Sequence, residues 1–182
     1  MSQITPETVI NFWFKQSTPK DWFAKNETFD NKIISQFSET YDAATKGELY
    51  DWRLTPDGRL AEIIVLDQFS RNMFRNSSRA FHFDSLAVIL SQQAIDLGED
   101  LELPLESRKF VYMPFMHSES LVIHKLAMKA FSQPGLEDNL EYEIRHRQII
   151  ERFGRYPHRN IVLGRQSTQA EIDFLKQPGS SF

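Results

Sequence analysis

Apolar residues recur along this chain at the spacing of a helix. Between Asn26 and Gly47 the large apolar side chains stand four residues apart, which makes one stripe of an amphipathic helix. That stripe consists of Phe29, Ile33, Phe37 and Tyr41. No stretch of the sequence shows the period-two alternation of β-branched residues, bounded by turns, that predicts a strand. The pattern therefore predicts an all-α fold.

Capping residues, glycines and prolines divide the chain into about eight helices with short connections. Thr5 followed by Pro6 is typical of a helix start, and Gly154 is typical of a helix end. Thr168 and Glu171 have the spacing of a capping box. The predicted helices begin near Pro6, after Asn26, near Leu60, at Ser77 or Ser78, near Pro104, at Ser118, near Leu140 and after Thr168. Short connections favour antiparallel helical pairs, in a bundle or a helical-pair array.

The middle of the chain gives three more specific expectations. The third helix, from about Leu60 to Phe74, is apolar on most sides through Leu66, which predicts a central, buried helix. The fifth helix is expected to be interrupted at Pro114, because proline has no N–H to donate to the helix. Ser118 is expected to cap the helix that follows.

The composition narrows the class of protein. The 182 residues suit one domain, 1–182, and a hydrophobic content of 41% with 15 Phe supplies a core. The chain has no Cys, which excludes disulfides, thiolate zinc sites and cysteine nucleophiles. Because neither a signal-peptide pattern nor an apolar run of about 20 residues is present, we expect a cytoplasmic protein without a membrane partner. The net charge of −4 argues against nucleic acid as a partner.

A first polar cluster interrupts the apolar third helix. Asp67 and Arg71 stand at i,i+4 with the acid first, the favourable order for a helical ion pair, and Asn72 and Arg75 continue the polar run. One interpretation is a salt bridge that serves the helix alone. The other follows from the predicted burial, since buried charges must be paired, and gives these four residues a role in binding a ligand.

A second cluster contains His117 and Glu119, which could act as acid and base or as metal ligands. The alternative is ordinary capping, with Ser118 as N-cap and Glu119 in the first turn. His117 and His124 stand at i,i+7 and could share one helical face. Two imidazoles are too few for a metal site, so no metal is predicted.

A third cluster is the most unusual, because six Arg, no Lys and one acid lie between Arg145 and Arg165. This stretch carries a formal charge of +5 in a chain whose total is −4. Its arginines could stabilise a helix C-terminus and pair with acidic helices. They could instead hold an anion, because the planar guanidinium binds carboxylate or phosphate through two hydrogen bonds. The residues of this candidate anion site are Arg152, Arg155, Arg159, Asn160, Arg165, Ser167 and Thr168, the last at a helix N-terminus.

Three strings in these clusters, LDQFSRN, YMPFMHSE and RFGRYPHRNIVLGRQST, resemble in this order the bacterial family called domain of unknown function 924. The strings Asn11–Phe14 and Trp22–Phe23 are similar to it too, and the resemblance covers nearly the whole chain. It implies an all-α fold like a tetratricopeptide-repeat-like superhelix and implies no reaction. Members of the family often carry an acid and a Gln after the HSE string, where Ser120 and His124 stand here.

These clusters lead to two hypotheses of different classes. The first is a helical protein whose polar pocket binds a small anionic ligand through Arg71 and the arginines of the third cluster, with or without acting on it as an enzyme. His117, Glu119 and His158 are then the candidate catalytic acid–base groups. The second is a tetratricopeptide-like module that takes a peptide or protein partner in a groove. The sequence contains no nucleotide- or metal-binding motif, and no cofactor is predicted.

Overall fold

A computed structural model describes residues 4–181 of the chain, in which helices are the regular structure and no strand occurs. The α-helices are α1 (Pro6–Lys15), α2 (Pro19–Phe23), α3 (Glu27–Thr45), α4 (Pro56–Ile64), α5 (Ser70–Met73), α6 (Asp84–Asp96), α7 (Leu105–Met116), α8 (Leu121–Phe131), α9 (Glu137–Phe153) and α10 (Gln169–Leu175). The predicted all-α class is confirmed. Within the described part of the chain, no helix is both long enough and apolar enough to cross a membrane.

Four of the eight predicted helix starts are confirmed, those near Pro6, after Asn26, near Pro104 and after Thr168. The predicted start at Ser77 or Ser78 is wrong, because Ser77 caps a short 3-10 turn and α6 begins at Asp84. Thr5 caps α1 ahead of Pro6, and Asn26 caps α3 by accepting a hydrogen bond from the amide of Phe29. Gly154 ends α9 with a positive φ of 67°, a conformation that glycine adopts without a steric penalty. The sequence pattern does not predict α2, because five residues are too few to show a helical period.

A continuous helix runs through the centre of the protein, built from α4, a π-helical turn at Val65–Phe69, and α5. Every residue from Gly58 to Ser70 is buried, so the predicted central helix is confirmed. Helices α1, α6 and α7 pack against α4, and α3 packs against the π turn. A helix that is apolar on most sides is stable only with neighbours on most sides, which the fold supplies.

The predicted interruption at Pro114 is wrong, because α7 continues through this residue to Met116. Residues 110–116 are all buried. Proline removes one hydrogen bond from a helix, and tertiary packing of the surrounding turns supplies most of the stability of a helix in a protein. Packing therefore outweighs the local signal at this position.

The prediction that Ser118 caps the next helix is also wrong. Helix α8 begins at Leu121, with Ser120 in the N-cap position, and His117 is the C-cap residue that follows Met116, the last residue of α7. Residues 117–120 therefore form a connection between two helices. This connection reaches the surface next to the third polar cluster.

Candidate functional site

A cleft of about 510 Å³ opens where α6 and α8 meet the connection 117–120 and the segment 159–165. Its polar wall consists of Asp84, His117, Glu119, Arg159 and Arg165, together with His82, Ser85, Gln92, Ser118 and Ser120. Its apolar wall consists of Phe81, Val88, Ile89, Ile123 and Leu163. Four of the residues singled out in the sequence therefore meet at one surface, although they come from two separate clusters.

Asp67 lies in the π turn and is fully buried. Its Oδ1 atom lies 2.7 Å from Nδ1 of His117 and 3.1 Å from Nη1 of Arg71, and Gln68 donates to its Oδ2 at 2.5 Å. Burial on its own raises the pKa of this carboxyl. Arg71 and His117 together lower it by more than burial raises it, so the net shift is downward. Asp67 is therefore an anion with three partners, and π turns of this kind are frequent at functional sites.

His117 is held by Asp67 at one ring nitrogen and lines the cleft. Burial lowers its pKa, the Asp67 carboxylate raises it and Arg71 lowers it, with a net shift below the ordinary value. The imidazole is thus neutral at pH 7. Because a carboxylate only accepts hydrogen bonds, the proton lies on Nδ1 and the lone pair on Nε2. None of the described residues forms a hydrogen bond with Nε2, and this is the geometry of a general base.

Arg159 is the least well paired cation of the cleft. Its side chain is 6% exposed, and the guanidinium lies between two rings, 4.5 Å from the centroid of Phe81 and 4.6 Å from that of Tyr156. The nearest carboxylate oxygen, Oδ2 of Asp84, is 3.5 Å from Nη1, and Asp84 already accepts two hydrogen bonds from Arg71 at 3.1 and 3.0 Å. The Nε atom is buried without a hydrogen-bond partner among the described residues.

Glu119 binds the segment that follows α9 through both of its carboxylate oxygens. It accepts two hydrogen bonds from Arg165 at 2.9 and 2.8 Å, and the backbone N–H of Tyr156 donates to Oε1 at 2.8 Å. Burial raises the pKa of Glu119, but the hydrogen bonds from Arg165 and Tyr156 lower it more, so the group stays ionised at neutral pH. An ionised carboxylate with these partners positions its neighbours rather than moving protons.

His158, the third candidate acid–base residue, does not line the cleft. Its ring lies against the ring of Tyr156, with 5.7 Å between the centroids. Burial lowers the pKa of His158 to about 4. The imidazole is therefore neutral at pH 7 and packs behind the cleft wall.

Two residues of the first cluster belong to another ion-pair network. Asp30 on α3 accepts a hydrogen bond from Asn72 at 2.7 Å and is paired with the guanidinium of Arg75. These contacts tie α3 to the central helix. Neither Asn72 nor Arg75 lines the cleft.

The start of α10 uses its backbone donors within its own capping box. The N–H of Thr168 donates to Glu171, the N–H of Glu171 donates to the hydroxyl of Thr168, and Arg155 lies 3.7 Å from the same carboxylate. Asn160 donates to the hydroxyl of Ser167 at 3.0 Å. Arg152 is exposed and lies over the rings of Phe153 and Phe174. The structure therefore brings Arg159 and Arg165 to the cleft and gives the other residues of the third cluster protein partners.

His124 and Glu143 form a buried pair that contacts the connection 117–120 on its inner side. The sequence did not identify these two residues as a pair. Nδ1 of His124 lies 2.7 Å from Oε1 of Glu143, and Nε2 lies 2.9 Å from the carbonyl oxygen of Ser118. Both side chains are fully buried, and burial raises the pKa of Glu143. The hydroxyl of Tyr156 donates to the carbonyl of Met116 at 2.5 Å. These contacts fix the backbone on both sides of His117.

Asp84, the shared partner of Arg71 and Arg159, was also missed. It stands between Phe83 and Ser85 at the start of α6, and no spacing in the sequence connects it with either arginine. Among the described residues, no group of three or more His, Asp or Glu side chains is arranged to hold a metal ion.

Fold and cleft together define an all-α protein with a small, charge-lined surface site in which an aspartate orients a histidine beside a buried arginine. The chain belongs to a family of bacterial proteins of unknown function, DUF924, whose sequence profile matches residues 9–179. It is similar in structure to a protein of unknown function from Agrobacterium tumefaciens, ATU0120, with a TM-score of 0.90 and 35% identity. That likeness covers 94% of this chain and 96% of the other. No curated protein matches the chain.

Proposed function

We propose that the cleft binds a small anionic ligand on Arg159 and that His117 is the acid–base group that acts on it. The observation that carries this proposal is the weak pairing of Arg159, a guanidinium in the cleft wall with a 6% exposed side chain whose nearest carboxylate oxygen, on Asp84, is 3.5 Å away. A buried cation is costly unless it is paired and its donors are satisfied. Asp84 is shared with Arg71, and an anion in the cleft supplies Arg159 with a charge partner of its own.

The geometry of the guanidinium also fits this role. Phe81 and Tyr156 hold its plane between their rings, so its orientation is fixed before a ligand arrives. A preorganised guanidinium loses less freedom when it forms two parallel hydrogen bonds with a carboxylate or a phosphate. The neighbouring Arg165 is already bound to Glu119, which leaves Arg159 as the cation for the ligand.

His117 supports an enzymatic role beyond binding. Its neutral imidazole is oriented by Asp67, and it shares the cleft with Arg159. A general base must be unprotonated at the working pH and must be held in reach of its substrate. The downward-shifted pKa and the hydrogen bond to Asp67 meet both conditions.

The alternative, a groove for a peptide, would be favoured by exposed aromatic side chains along the cleft. The aromatic residue in the cleft wall, Phe81, packs instead against the guanidiniums of Arg71 and Arg159. The cleft volume of about 510 Å³ also lies within the range of about 300–1,000 Å³ that is usual for small-molecule sites. Both observations favour a small ligand.

The experiment is a thermal-shift series with acetate and phosphate, each compared with chloride at matched ionic strength. We expect both anions to raise the Tm of the wild type and of Arg145→Ala, which removes an exposed arginine of α9 outside the cleft. Arg159→Met should lose this increment. At about 100 times the dissociation constant, a bound ligand adds about 2.7 kcal/mol to the free energy of unfolding. An Arg159→Met variant that responds like the wild type would refute the proposal.

A further inference from the structure

We infer that the ligand of the cleft is a linear aliphatic monocarboxylate, whose carboxylate binds Arg159 and whose chain lies along Val88, Ile89, Ile123 and Leu163. This inference rests on the proposed function and names the substrate class. It depends on two independent features of the cleft, its charge and its apolar wall.

The charges of the cleft select a single negative charge. Its walls carry two negative charges, on Asp84 and Glu119, and two positive charges, on Arg159 and Arg165. These charges cancel, because His117 is neutral. A second negative charge on the ligand would lie close to Asp84 and Glu119, and like charges repel strongly in a partly buried site. One carboxylate matches Arg159, the more weakly paired of the two arginines in the cleft wall.

Besides Phe81, the apolar wall is built from three separate elements. Val88 and Ile89 lie on α6, on the same helical face as the polar residues Ser85 and Gln92. Ile123 comes from α8 and Leu163 from the segment 159–165. Ile89 is 56% exposed, and Ile123 and Leu163 are half-buried. Apolar side chains that converge on a cleft and remain accessible are typical of a ligand-binding surface.

The two walls together favour an amphipathic ligand over a compact anion. Inorganic phosphate or acetate would satisfy Arg159 and leave the apolar side chains in contact with water. An aliphatic chain covers them, and each methylene removed from water contributes a gain of about fourfold in affinity. The cleft thus offers a cation for the head of the ligand and an apolar track for its tail.

The test is a calorimetric titration of the full chain with acetate, butanoate and hexanoate below their aggregation limits, with hexan-1-ol as the uncharged control. We expect the affinity to rise about fourfold for each added methylene until the chain leaves the apolar wall. Hexanoate should bind more tightly than phosphate, and hexan-1-ol should bind far more weakly than hexanoate. The Arg159→Met variant should bind none of the carboxylates measurably.

Two variants test where the chain lies. Ile89→Ser changes an exposed residue of the cleft and should cost about fivefold in affinity for hexanoate while leaving that for acetate unchanged. Ile144→Ser changes an exposed isoleucine of α9 outside the cleft and should have no effect on either.

The possible failures are distinguishable. If binding depends on Arg159 but not on chain length, or if Ile89→Ser keeps the full gain with chain length, the monocarboxylate inference is overturned and the anion site stands. If tighter binding of phosphate than of hexanoate is found, the ligand is a compact anion. If no anion binds in an Arg159-dependent way, the proposed function itself fails.

Discussion

The Nδ1 atom of His117 lies 2.7 Å from Oδ1 of Asp67, which stands 50 positions earlier in the sequence. A histidine at the end of α7 is thereby oriented by a fully buried carboxylate in the π turn of the central helix. The same carboxylate is held by Arg71, so its negative charge is shared between two partners. Burial lowers the pKa of His117, and the nearby Arg71 lowers it too, so His117 stays neutral although it contacts an acid.

The first prediction concerns the protonation of His117. Its pKa should lie below the ordinary value of about 6.5, because burial and Arg71 together outweigh Asp67. Asp67→Asn removes the charge that raises this pKa, so the variant should titrate at a still lower pH. Nitrogen chemical shifts of the imidazole, followed by NMR from pH 8 to pH 5, report both the pKa and the tautomer.

Two results would contradict this account of His117. One is a pKa above 6.5 in the wild type. The other is a neutral tautomer with its proton on Nε2, which would make Nδ1 an acceptor and remove the lone pair from the cleft. Val111→Ala, a change in the core of α7 that leaves the titrating groups in place, serves as the structural control.

The second prediction concerns stability in mild acid. Burial lowers the pKa of His146 to about 3 and that of His158 to about 4. The unfolded chain binds protons at these histidines below about pH 6.5 and the folded chain does not, so stability is fully present above that pH and is lost as the pH falls. Each such histidine contributes a slope of about 1.4 kcal/mol per pH unit.

Urea denaturation at pH 7, 6 and 5 measures this slope. We expect the free energy of unfolding to fall steadily over this range, with a smaller fall for His146→Asn. Glu143, whose pKa is raised by burial, acts in the opposite direction and reduces the total. Stability that is constant or rising between pH 7 and pH 5 would show that these histidines are not buried in the neutral form.

The third prediction concerns Asp67 and Arg71. Removing one partner of a buried ion pair costs about 3–5 kcal/mol, whereas an exposed pair contributes at most about 1 kcal/mol. Asp67 is fully buried, but Arg71 keeps the Asp84 carboxylate as a second partner, so Asp67→Ala should cost about 3 kcal/mol. Chemical denaturation measures this loss.

Glu141→Ala is the matched control, since Glu141 pairs with Arg145 at the same i,i+4 spacing on the exposed face of α9. It should cost less than about 1 kcal/mol. Equal losses in the two variants would mean that Asp67 makes no more than a surface contribution.

The sequence predicted the helices well and the cleft only in part, for physical reasons. Helix periods and caps are local, so Asn26 and Gly154 mark real boundaries. At Pro114 tertiary packing outweighs the tendency of proline to interrupt a helix, and α7 continues. His117, Glu119, Arg159 and Arg165 were found because unusual residue types stand close together in the chain.

The partners of these residues could not be found in the same way. Asp84 meets Arg71 and Arg159 across 13 and 75 positions, and His124 meets Glu143 across 19. Contacts of this kind depend on how the helices pack against one another. They cannot be predicted from residue spacing in a single sequence. The π turn that directs Asp67 toward His117 likewise has no signature in the residues Val65–Phe69.

The anion site on Arg159 is tested most directly by the NMR signal of its own Nε–H group. In protein labelled with nitrogen-15 at arginine, the Arg159→Met variant identifies this resonance by its loss. Titration of the wild type with acetate should move that resonance, because a carboxylate on the part of the guanidinium that lines the cleft changes the surroundings of Nε, while the resonances of exposed arginines such as Arg145 stay in place. An Arg159 resonance that does not move at saturating acetate would contradict the proposal that the cleft binds an anion.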